Sequence, residues 1–383
     1  MTLINGSSIP NSFTVFAQPS ESGFFGLTEL GTFTKLNVEP YAESETTLIM
    51  DFSAVQVWDI SALLWLVVAL DHYRRNAGLS FLLRLPEENN LMTPIEKDKF
   101  ARSADYLRRW RFDRGLKNID AEVGNLLVPE QKDYFNPPEP RRFYLERKMQ
   151  TESGLLQSLI SRRLAEIRGL SDLSVTGLVP ISPDKISECI RQFQSERIGD
   201  ILNTQCAIEK RKADLFSDHL LTEALLNVQE HPHATIGLVA ISTMGRSNEL
   251  ILSVVDNGAS IPETIYPRYL RDKSLKKDKE GPETSEYQRD KIKPSLRGEI
   301  TNHATQKGVT SKIGPESLNA GMGLTYIKED SINEFRGKLT IITDSIKLTY
   351  VNDANAEPKT DEWYHGWRGN LIRIAIPVGP SRP

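Results

Sequence analysis

The chain has 383 residues, 39% of them hydrophobic and 26% charged, with a net charge of −4. That length suits two or three domains, and the composition fits a folded globular protein rather than a disordered one. The slight negative charge gives no global attraction to nucleic acid, which is not expected as a partner. The longest clean apolar run, Ala62–Leu70, is too short to span a bilayer, and no basic segment followed by an apolar core opens the sequence. A cytoplasmic location away from membranes is therefore expected. Cys189 and Cys206 lack metal-ligand spacing and read as reduced structural thiols.

In chain order, Phe13–Gln18, Thr32–Val38 and Leu48–Phe52 read as strands. Asp59-Ile60-Ser61 opens a long apolar helix, with Asp or Ser as its cap, and Gly78 can close it in a left-handed conformation. Leu79–Leu85 reads as a buried strand ended by Pro86, and Phe100–Phe112 as an Arg-rich helix. This strand–helix–strand–helix order implies a right-handed crossover and defines a first α/β domain over 1–125. Pro129–Arg142 is rich in proline and charge and reads as a linker. Leu145–Leu170 has helical character, so 126–175 reads as a linker with a connecting helix, open to a dimer contact.

The segment 176–383 forms the last domain. Asp184–Ile201 and Ala213–Val228 follow a helical pattern, and Ile236–Ser242 and Leu250–Val255 read as an antiparallel strand pair. Lys338–Thr343 and Asn370–Pro377 read as closing strands. Helices on one face of a mixed, largely antiparallel sheet would make an α/β sandwich. The long stretch 262–320 is charged and reads as a functional or a disordered loop. Thr310, Ser311 and Lys312 in it stand open between phosphate contacts and a solvated loop.

Three stretches carry chemistry. Glu223 and Asn227 share one helix face; a carboxylate there can activate a hydroxyl while a carboxamide oxygen ligates a hard cation. Asp256-Asn257-Gly258 ends a buried strand, where a carboxylate can accept from an exocyclic amine. Gly321 and Gly323 flank Met322 ahead of a helical run, and glycines at a helix start let phosphates approach backbone N–H groups.

In this order the stretches resemble the GHKL superfamily, the Bergerat-fold ATP-binding domains, over about Asp200 to Pro377. The match covers Glu-x-x-x-Asn at Glu223 and Asn227, and Asp-x-Gly-x-Gly-Ile at Asp256, Gly258 and Ile261, with Ser260 replacing the second glycine. It continues through Gly-x-Gly-Leu at Gly321, Gly323 and Leu324, and places Gly369-Asn370 where the family has Gly-Thr. The resemblance implies ATP and Mg2+ as ligands and a lid at about 262–320. Asp256 would accept from the adenine amine and Gly258 and Ile261 would line the base. Asn227 would hold magnesium, and Gly321, Met322, Gly323 and Leu324 would face the phosphates, with Lys312 reaching them from the lid. Glu223 would be the general base. Segment 145–170 has no histidine to serve as a phosphoacceptor, which argues against the sensor-kinase branch.

About Asp51 to Leu116 resembles a STAS domain, the fold of anti-sigma-factor antagonists. Its Asp-Ser-Ser-Gly-Leu motif reads Asp59-Ile60-Ser61-Ala62-Leu63 here. Ser61 is either a phosphoacceptor or simply part of a helix start. Together the resemblances imply an ATP-dependent regulator of a protein partner, similar to the anti-sigma serine kinases. An ATP-gated ATPase that dimerises and a passive nucleotide-binding module remain as alternatives.

Overall fold

The computed structural model describes residues 3–4, 12–21, 23–33, 47–87, 93, 97, 103–104, 106–108, 110–117, 119, 123–132, 134–135, 176, 178–195, 198–206, 208–244, 248–275, 287–288, 291–309, 323–363 and 369–378. The fold is mixed α/β and divides into two units, Met1–Pro180 and Ile181–Arg382.

In the first unit the strands are β1 (Leu3–Ile4), β2 (Ser12–Phe16), β3 (Phe24–Phe25), β4 (Thr47–Asp51), β5 (Val57–Trp58) and β6 (Ser80–Arg84). One sheet has the order β1-β2-β4-β6, with β2, β4 and β6 parallel and β1 antiparallel to β2; β3 and β5 pair separately. The helix Ile60–Ala77 joins β4 to β6, and the two strands lie parallel, as a strand–helix–strand unit requires. Asp59 caps it, its carboxylate accepting from the N–H groups of Ser61 (2.7 Å) and Ala62 (3.3 Å). Gly78 ends it at φ 63°. No residue from Ile60 to Leu70 is more than 2% exposed. This stretch is buried on every side and has no polar face to show, and apart from Ser61 it is apolar. The rings of Phe25, Phe52 and Trp58 meet edge-on or tilted, with centroids 5.3–5.6 Å apart.

Three local expectations change. Leu27–Phe33 is a helix where a strand was expected from Thr32, and 34–38 lie outside the described residues. The Gly26 N–H donates to the Glu29 carboxylate (3.0 Å), half of a capping box that nucleates the turn. The helix expected over 100–112 is helical at 103–104 and 106–108, then turns at Trp110 and Arg111 (φ 53°), and Phe112–Lys117 forms a new helix. The stretch read as a linker begins folded: Gln131 is buried, with its amide donating to the Leu85 carbonyl (2.6 Å) and accepting from the Leu85 N–H (2.7 Å). The connecting helix at 145–170 lies outside the described residues.

The second unit carries β8 (Gly237–Met244), β9 (Glu249–Asp256), β10 (Lys338–Thr343), β11 (Ile346–Val351), β12 (Lys359–Glu362) and β13 (Asn370–Pro377). With β7 (Val179–Ile181), at the division between the units, they form a seven-stranded sheet of order β12-β11-β10-β13-β9-β8-β7. Every ladder from β12 to β8 is antiparallel. Helices Ile186–Ser195, Ile198–Gln205 and Lys210–Leu215 precede a π-turn, Phe216–Leu220, that runs on into Leu221–Glu230. The last of these packs on β9, and Pro294–Ala304 packs on β11 and β12. Leu250 to Asp256 are all buried, so both faces of β9 are covered. The stretch expected to be mostly loop holds two helices, Ile261–Leu275 and Pro294–Ala304; the Ser260 hydroxyl accepts from the Glu263 N–H (3.3 Å) at the start of the first.

Candidate functional site

The register of the sheet sets one row of four residues. Thr343 lies opposite Asn370, Asn370 opposite Asp256, and Asp256 opposite Gly237. At the end of this row the helix Leu221–Glu230 comes close: a Cβ on Gly237 would lie 2.8 Å from Val228 Cγ1. The chain leaves that helix at His231, whose backbone N–H still bonds the Asn227 carbonyl (3.0 Å), and the imidazole lands on Asp256.

Asp256 is 3% exposed and takes three hydrogen bonds. His231 Nδ1 donates to Oδ2 (2.8 Å), while the Gly258 N–H (2.9 Å) and Asn370 Nδ2 (3.1 Å) donate to Oδ1. The Asn370 amide has only one consistent orientation. Its nitrogen faces Asp256 and the Ala259 carbonyl (3.0 Å) and lies 3.0 Å from His231 Nδ1. Its oxygen accepts from the Ile261 N–H (3.1 Å) and the Thr343 hydroxyl (2.7 Å). Burial pulls the His231 imidazole toward neutrality, but the charge and hydrogen bond of Asp256, with Glu230 beyond, outweigh it and raise the pKa. Gly258 is needed for packing: a Cβ there would meet His231 Cβ at 2.8 Å and Ala234 Cβ at 3.1 Å.

The second group lies between two helices. His219, Glu223 and Asn227 follow one another at four-residue spacing, and the helix Gly323–Glu329, running on into Asp330–Glu334, faces them. A Cβ on Gly323 would lie 2.9 Å from Glu223 Oε2 and 3.9 Å from both amide atoms of Asn227. His219 Nδ1 meets Asp330 Oδ2 at 2.8 Å, and its ring lies 4.9 Å from that of Tyr326. Asn227 Nδ2 donates to the Glu223 carbonyl (2.6 Å), and Oδ1 has no hydrogen-bond partner among the described residues. Burial raises the pKa of Glu223 above the usual carboxylate range; His219 opposes this, while Glu230 and Asp330 add to it.

An oxygen-only ligand with its amide nitrogen already engaged suits a hard cation. Among the described residues no group of three His, Cys, Asp or Glu could hold a metal. A hard cation held here would take Asn227 Oδ1.

The structure thus brings together Asp256, Gly258, Ile261 and Asn370 at one end, and Glu223, Asn227 and Gly323 at the other, joined through the His231–Asn227 backbone bond. Leu324 follows Gly323, partly exposed. Lys312, Gly321 and Met322 lie outside the described residues. Ser61, in the first unit, is fully buried, and Asp59 provides the cap. His231, Thr343, Gly237 and the His219–Asp330 pair were not legible as parts of a site. His231 showed only its place four residues after Asn227, and Thr343 and Gly237 depend on strand register. Neither a protein-family model nor a curated protein matches this chain.

Proposed function

We propose that the second unit is a Bergerat-type nucleotide site, that it binds ATP with Mg2+, and that the protein is an ATP-dependent regulatory enzyme acting on a protein partner. The observation that carries this reading is the convergence of segments far apart in the chain. Asp256, Ile261 and Asn370 share one hydrogen-bonded cluster, and Glu223 and Asn227 stand against Gly323. These are the positions at which the resemblance expects base, metal and phosphate contacts.

An ionised carboxylate offers about four acceptor sites, and three donors hold Asp256. The adenine amine would take the remaining one on Oδ2. Magnesium, when bound, would neutralise phosphate charge. Glu223 would take the proton of a water or a serine hydroxyl as its oxygen attacks the terminal phosphorus, and ADP would leave; burial raises its pKa, which makes it a stronger base than an exposed carboxylate. In the first unit, the STAS-like reading proposes a regulatory module. The burial of Ser61 favours an acceptor on a separate protein over a cis acceptor.

The test is incubation of the full chain with Mg2+ and labelled ATP, with and without candidate protein partners, followed by product analysis. Wild type should release phosphate or transfer it to a partner. Glu223→Gln should bind ATP within about threefold of wild type and lose turnover by about 100-fold or more. Turnover at the wild-type rate in that variant would place the base elsewhere.

A further inference from the structure

We propose that the groove between the helices Ile261–Leu275 and Pro294–Ala304 and the segment 357–360 is a second ligand site, and that it takes a small aliphatic diamine or polyamine. None of the residues that line it belongs to the Asp256 cluster or to the Glu223–Gly323 contact, so the site can be tested without nucleotide.

The cavity holds about 320 Å³, within the range of small-ligand sites. Its floor is one strip of the second helix and its end. Ser295, Glu299, Asn302, His303 and Gln306 recur there at helical spacing, which puts them on one face. Asn302 and His303 are consecutive, so their side chains leave the helix about 100° apart. Each holds a carboxylate of a different wall. His303 Nε2 lies 3.0 Å from Asp272 Oδ2 on the first helix, and that oxygen also accepts from Arg268 Nε (3.0 Å). Asn302 Nδ2 donates to Glu357 Oε2 (2.9 Å) on the opposite wall. Asn302 is fixed in turn, because its oxygen accepts from the Tyr350 hydroxyl (2.9 Å). The walls close in at Gly298, where a Cβ would lie 2.9 Å from Thr360 Cγ2.

The hydrogen-bonding capacity left over sets the ligand. Asp272 Oδ1 and Glu357 Oε1 have no hydrogen-bond partner among the described residues, and an ionised carboxylate oxygen can only accept. Glu299 is already paired with Lys273 (2.6 Å), whereas Glu357 has no cationic side chain in salt-bridge contact among the described residues. Three carboxylates and one lysine line the groove, which favours a cation. A metal ion does not fit, because no group of three His, Cys, Asp or Glu among the described residues could hold one. Two acceptors on opposite walls instead call for two ammonium groups joined by a short chain. Pro358 and the Tyr269 ring supply apolar surface for its methylenes.

The test is calorimetric titration of the full chain, without nucleotide, with 1,4-diaminobutane, spermidine and butylamine. The proteins are wild type, Glu357→Gln, and Glu188→Gln, a matched charge change at an exposed position on the helix Ile186–Ser195. Wild type should bind both the diamine and spermidine saturably at one equivalent, and butylamine about fivefold or more weakly. Glu357→Gln keeps an oxygen for Asn302 but loses the charge, so it should weaken diamine binding about fivefold or more. Glu188→Gln should bind as wild type does. Absence of saturable diamine binding overturns the proposal, as do equal affinities for diamine and butylamine, unchanged affinity in Glu357→Gln, or the same loss in both variants. A lysine-rich peptide that binds more tightly than spermidine would reassign the groove to a basic protein segment and overturn it too. Should Glu357→Gln not fold, the ratio of diamine to butylamine affinity in wild type decides.

Discussion

Asp256 and His231 are buried together, so neither can be changed without leaving the other short of a partner. This gives a pH signature. The folded state raises the His231 pKa above its unfolded value, so the stabilisation is complete below the ordinary histidine pKa of about 6.5. It fades as pH rises through the raised value. In urea titrations the stability gap between wild type and His231→Leu should therefore be largest at acid pH and shrink as pH rises; a gap that widens with pH contradicts the pairing. Gly258 makes a second claim at this scale. Gly258→Ala should destabilise by about 1–3 kcal/mol, because its Cβ would press on His231 and Ala234, whose own Cβ atoms cannot swing away. Wild-type stability in that variant would show that the 231–234 turn does not pack as described. The sequence made Asp256 legible, since an acidic residue ending an apolar run is a local pattern. The reason for Gly258 was not legible, because its neighbours come from a turn more than twenty residues earlier in the chain.

Helix spacing alone places Glu223 and Asn227 on one face, because a period of about 3.6 residues is a local property. The facing row was less accessible. Gly323, Tyr326 and Asp330 share the opposite helix face, and only the packing of the two helices shows that Glu223 meets Gly323 and His219 meets Asp330. Gly323→Ala tests this contact. The added carbon would come within 2.9 Å of Glu223 Oε2, the far end of a flexible side chain, which can move aside. Stability should change by less than about 1 kcal/mol, while turnover falls about tenfold or more as Glu223 leaves its position. Unchanged turnover would separate Glu223 from the glycine turn. Strand register explains the remaining gap. Asn370 could be aligned by motif, but its bonds to Thr343, Asp256 and Ile261 follow from which strands pair, a non-local choice. The helix Leu27–Phe33 was missed for another reason: its capping signal, Gly26 with Glu29, is short and sits next to a β-branched and aromatic pair that reads as strand.

On the scale of the molecule, each unit has its own sheet and its own buried apolar residues. A fragment over 179–382, which keeps β7, should fold cooperatively and bind nucleotide as the full chain does. Gradual, non-cooperative unfolding of that fragment would show that its core is incomplete. The α/β class of both units was legible from alternating apolar runs and turn signals. The covering of β9 on both faces was not, because burial on two faces and burial within a helix look alike in a short apolar run. The central claim, that the Asp256 cluster holds a purine nucleotide, meets its most direct test in calorimetric titration of the full chain with Mg2+-ATP, wild type against Asp256→Asn. The amide turns one acceptor oxygen into a donor among three donors already in place, so wild type should bind saturably and the variant about tenfold or more weakly. Equal affinity in the two proteins, or no binding by wild type, would contradict the claim.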